Sequence, residues 1–109
     1  FNPNFKNAEW RGTAAAITQD SSGPELVFVN PHFTKDVLGF YLPEKFTVQS
    51  AEDFAPRAAS DLPSRFWLIE APPNVPVFRA VLEKGFVIEK QLDFPFENGI
   101  TLYLLSNPL

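Results

Sequence analysis

Leu26-Val27-Phe28-Val29 lies between two sets of chain breakers, Gln19-Asp20-Ser21-Ser22-Gly23-Pro24 before it and Asn30-Pro31 after it. A strand with one wet face alternates apolar and polar residues. A run that is apolar at every position reads instead as a strand covered on both faces. Phe66-Trp67-Leu68-Ile69 has the same character further along. Two such strands, separated by segments of helical spacing, predict a sheet packed between helices.

Upstream of the first run, Trp10, Ala14 and Ile17 recur at three-to-four spacing and predict a helix ending near Thr18. Asn7 is its expected cap, and Glu9 favours the positive end of the helix. Residues 1–6 read as an extended linker. Downstream, Asn30-Pro31-His32-Phe33 reads as a loop, and Thr34 caps a short helix through Tyr41 that Pro43 stops. Phe46-Thr47-Val48 is a short strand near an edge. Ser50 with Asp53 resembles a capping box for a helix whose inner face is Phe54, Ala58 and Leu62. After the Phe66–Ile69 strand, Pro72-Pro73 breaks the chain and Asn74 caps a helix with Pro76 in its first turn. Its expected buried stripe is Val77, Phe78, Val81 and Leu82, and Gly85 is its left-handed stop. Phe86–Phe94 and Ile100–Leu105 are the last strands, joined around Glu97-Asn98-Gly99. Thr101 and Tyr103 alternate with apolar residues and suggest one less buried face.

The order αβαβαβαββ predicts an α/β fold, a three-layer Rossmann-like sandwich around a mostly parallel five-stranded sheet. Right-handed crossovers place the first strand centrally. The short final connection makes the last strand antiparallel, giving the order 2-1-3-5-4. The whole of 1–109 reads as a single α/β domain.

Composition excludes several classes. The net charge is −4 and the nine Lys and Arg residues are scattered, which argues against nucleic acid. There is no Cys, so no disulfide or thiolate metal site forms, and the single His32 nearly removes histidine metal sites. Lack of Cys fits a cytosolic protein and a bacterial extracytoplasmic one equally. The twelve Phe residues read first as core. No apolar stretch reaches the ~20 residues needed to span a bilayer. The start at Phe1, without Met or signal peptide, reads as that of an excised fragment, with any membrane part outside it.

A doubly wound sheet binds ligands beyond the carboxyl ends of its strands, at the switch point. The loop after the first strand has no glycine to let a pyrophosphate approach, and no acidic residue ends the second strand to hold a ribose. No nucleotide, methyl-donor or other cofactor is therefore expected. The acidic cluster and Lys of a phospho-acceptor receiver are missing too. His32 titrates near neutrality and falls at the switch point, which makes it the best single ligand contact. No Ser or Cys with elbow-like glycine spacing accompanies it, and a loop histidine making one hydrogen bond is the ordinary reading. Glu52-Asp53, or Glu9 near Asp20, offer carboxylate pairs, but Glu52 and Asp53 in a first helical turn serve the dipole. Trp10 and Trp67 have the rings to stack on a sugar, yet their spacing puts both on core faces. Asp93-Phe94-Pro95-Phe96-Glu97 is either an apolar partner contact or a simple turn. No catalytic, cofactor-binding or metal-binding residue is expected.

Glu9-Trp10-Arg11-Gly12-Thr13-Ala14-Ala15-Ala16-Ile17, followed by a turn and Leu26-Val27-Phe28-Val29, resembles the opening of a C-terminal soluble domain in bacterial membrane glycosyltransferases. These are the C-type superfamily, including the dolichyl-phosphate-mannose–protein mannosyltransferase-like enzymes. Pro31 and Phe40-Tyr41 fall where that pattern has a loop proline and an aromatic pair. The likeness spans the first 41 residues and thereafter only the order of elements. It implies a parent enzyme that uses a polyprenyl-phosphate sugar, with its catalytic Asp among transmembrane helices outside this stretch. No catalytic residue carries over. The chain would be a non-catalytic extracytoplasmic accessory domain at the outer face of the cell membrane. Its partners would be the transmembrane part of its own parent chain and, in addition, a glycan or lipid-linked sugar. Trp10, Arg11 and Tyr41 match the pattern as structural or acceptor-side positions. The residues by themselves also admit a degenerate nucleotide-fold binding module for a small ligand or protein, with its pocket at Asn30 to Phe33. A free-standing soluble enzyme using His32 is the third reading.

Overall fold

The structure, a computed structural model, describes residues 3–20, 23–30, 38–39, 41–51, 62–70, 78–94 and 100–107; at 3–10 and 78 it describes the backbone alone. Helix α1 (Pro3–Gln19) leads to β1 (Leu26–Asn30), β2 (Thr47–Ser50), β3 (Arg65–Glu70), α2 (Phe78–Glu83), β4 (Val87–Phe94) and β5 (Ile100–Ser106). Pro3–Lys6 is therefore helix and not the expected linker. Proline suits a first helical turn, where its missing amide has no partner to lose and its fixed φ is already helical.

The five strands form one mixed sheet in the order β2-β1-β3-β5-β4. β1 pairs in parallel with β2 and β3, while β5 runs antiparallel to both β3 and β4. The α/β class, the strand order and the inverted last strand agree with the sequence reading.

Continuous apolar strands fill both faces. Val27, Val29, Trp67, Ile69, Leu102 and Leu104 share one cluster with Ala14 and Ile17 of α1 and with Leu38 and Leu42. Phe28, Phe66, Leu68, Tyr103 and Leu105 share the other with Ala51, Leu62, Val81 and Phe86. Phe66 makes edge contacts with Phe28 at 5.2 Å and Phe86 at 5.1 Å between ring centroids. Each large side chain buried this way contributes roughly 1.5–3 kcal/mol. Gly12 of α1 admits close packing of Phe94, whose ring would lie 3.4 Å from an added Cβ.

Helix α2 ends in a Schellman turn: Gly85 N–H donates to Leu82 O at 3.0 Å and Phe86 N–H to Val81 O at 3.4 Å. Gly85 has φ of 98°, the left-handed stop expected of it.

Two burial expectations change. Tyr103 is only 6% exposed, because β5 lies inside the sheet between β3 and β4 and both its faces are covered. A tyrosine in an alternating strand mimics a wet face, yet its ring buries well. Leu82 is exposed where a buried stripe was expected, while Val81 beside it is fully enclosed. The expected helix faces through Phe54 and Ala58, and at Val77, lie outside the described residues.

Candidate functional site at the carboxyl ends of the strands

β1 ends on Asn30 and β3 on Glu70, and the two residues are paired in register. Glu70 is opposite Thr101 of β5, and Thr101 is opposite Asp93 of β4. Paired residues share a face of a sheet, so four polar side chains form one row across four strands. The row continues the face that carries Phe28, Leu68 and Tyr103, one pleat further along. β1 and β3 are parallel neighbours whose connections go to opposite sides of the sheet, so the row begins at the topological switch point.

Asn30 is buried at 4% exposure and meets its need for a partner by donating from Nδ2 to Glu70 Oε1 at 3.3 Å. At the far end Thr101 Oγ1 donates to Asp93 Oδ1 at 3.1 Å. Tyr103 lies on the same face, one row down. Burial raises its phenol above the usual tyrosine range, and the negative charges of Glu70 and Asp93 push the same way. The row is thus acceptor-rich and its field is negative. Among the described residues no group of three or more His, Asp or Glu is arranged to hold a metal ion.

Of the residues singled out from sequence, the described ones lie away from this row. His32 lies outside the described residues, two positions beyond Asn30. Trp10 sits on α1 with only its backbone described, and Arg11 beside it is exposed. Tyr41 is half-buried against the cluster on the opposite face of the sheet. Glu52, Asp53 and 95–97 are outside the described residues, whereas Phe94 is half-buried against α1. Trp67 belongs to the core, at 1% exposure, as its spacing implied. Sequence reading puts Asn30 at the start of its alternative pocket but misses Glu70, Thr101 and Asp93, which only strand register brings into line with it. Glu70, a charge that closes an apolar run, was the available signal.

A second polar group occupies the other end of the sheet. Arg65 Nε and Nη2 donate to Glu89 Oε2 and Oε1 at 2.8 and 3.1 Å, a bidentate fork. Lys90 Nζ reaches Asp20 Oδ2 at 2.9 Å, tying β4 to the residue that follows α1. The hydrogen bond from Arg65 holds the Glu89 carboxyl below the usual range. These pairs join elements and leave the charges satisfied. Among the described residues no helix is long and apolar enough to cross a membrane. Comparison of the chain with protein-family models, curated proteins and solved structures found no match.

Proposed function

We propose that this chain is a non-catalytic extracytoplasmic accessory domain of a polyprenyl-phosphate-sugar-dependent membrane glycosyltransferase, mannosyltransferase-like in type. In this reading the domain is a three-layer Rossmann-like sandwich resting on the transmembrane part of its own parent chain. The observation that carries the reading is the run Glu9–Ile17 and its place in the chain. It lies in α1, which leads through one turn into β1, the order that the family's opening has. The decisive experiment starts from the gene. Translation upstream of Phe1 should reveal about a dozen apolar spans, each of the ~20 residues that cross a bilayer. The tagged full-length product should sediment with membranes, and protease added outside spheroplasts should cut this domain. A soluble upstream partner, or a domain protected from external protease, overturns the proposal.

One observation favours a second reading, a binding module for a small ligand or protein. Asn30 and Glu70 meet at the switch point, where open α/β sheets take their ligands. Thermal-shift screening against sugars, nucleotides and lipid phosphates tests it. Stabilisation that disappears in Glu70→Gln supports a site at this row, and no response from any class removes it.

A further inference from the structure

We draw no further inference here: the strongest candidate, the exposed outer edge of β4 with Val87, Ile88 and Leu92, carries nothing because no feature of the structure shows what covers it.

Discussion

A Cβ added to Gly23 would lie 2.9 Å from Trp67 Cζ2, while the Trp67 indole N–H donates to the carbonyl of the next residue, Pro24, at 3.1 Å. The indole is thus laid across the turn between α1 and β1, and the turn has room for no side chain beneath it. Trp67 is 1% exposed and its ring is rigid, so it has no easy path away. Gly23→Ala should cost about 1–3 kcal/mol, the usual penalty for overpacking. Gly39→Ala is the control, since no described residue lies within 4 Å of a Cβ there. Urea midpoints should fall for the first variant and hold or rise slightly for the second.

The Asn30 amide is tolerated in the sheet because Glu70 accepts from it. Asn30→Asp replaces that donor with a second carboxylate at a site only 4% exposed. Burial and like charge both disfavour ionisation, so the variant should lose about 3 kcal/mol at pH 7. The new carboxyl has a raised folded-state pKa, so its neutral form is the tolerated one and the deficit should shrink as pH falls. Denaturation at pH 7 and at pH 5 tests this, and an equal deficit at both values would refute the electrostatic account.

Tyr103 is held above the usual tyrosine range by burial first, and then by Glu70 and Asp93. A pKa raised by folding contributes stability that is whole below the unfolded value, about 10. That stability is lost as pH climbs through the folded value. The chain has two tyrosines, so Tyr41→Phe leaves Tyr103 as the one titrating phenol. Ultraviolet absorbance of that variant should show tyrosinate forming above pH 10. Its alkaline unfolding should be steeper than that of a Tyr103→Phe chain.

The Arg65–Glu89 fork lies at the surface, with side chains 34% and 33% exposed. Solvent and salt therefore limit it to about 0.2–1 kcal/mol of coupling in a double-mutant cycle of Arg65→Gln and Glu89→Gln. Arg65 lowers the Glu89 pKa. Its stabilisation is present above the unfolded glutamate value, about 4.3, and fades as pH falls through the lower folded value. The cycle repeated at pH 7 in 1 M salt should give a coupling near zero.

How far the fold could be read in advance depended on which surfaces touch what. Val27 to Val29 and Phe66 to Ile69 announce themselves because a strand buried on both faces has no polar position to confuse its period. The antiparallel entry of β5 followed from a connection too short for a crossover. Tyr103 reads as less buried than it is because residue type reports polarity of the side-chain tip, while burial depends on whether the strand lies inside the sheet. The start of α1 is hidden in the sequence because proline, as at Pro3, signals a break everywhere except in a first turn. The polar row escaped notice for a different reason. Asn30, Glu70, Thr101 and Asp93 are far apart in sequence, and only strand register brings them into line. His32, the candidate by chemistry and by its place after the first strand, lies outside the described residues.

Register also separates two leucines that composition treats alike. Leu92 of β4 and Leu102 of β5 are cross-strand partners on the same face. Leu102 is 1% exposed, enclosed between β3 and β4, while Leu92 is 42% exposed on the outer strand. A bulge between Ile88 and Lys90 bends that strand, and Lys90 places a charge on it, both features that discourage further strand pairing. Leu102→Ala should therefore remove buried contacts and leave a cavity, costing about 2–5 kcal/mol. Leu92→Ala removes a side chain already half in water and should cost about 1 kcal/mol or less. Lys90→Val removes the ion pair to Asp20, whose side chain is 11% exposed, so it should lower the urea midpoint as well as raise light scattering with concentration as the edge loses its charge. If Leu92→Ala proves as costly as Leu102→Ala in urea denaturation, the face of β4 that carries Leu92 is covered in solution.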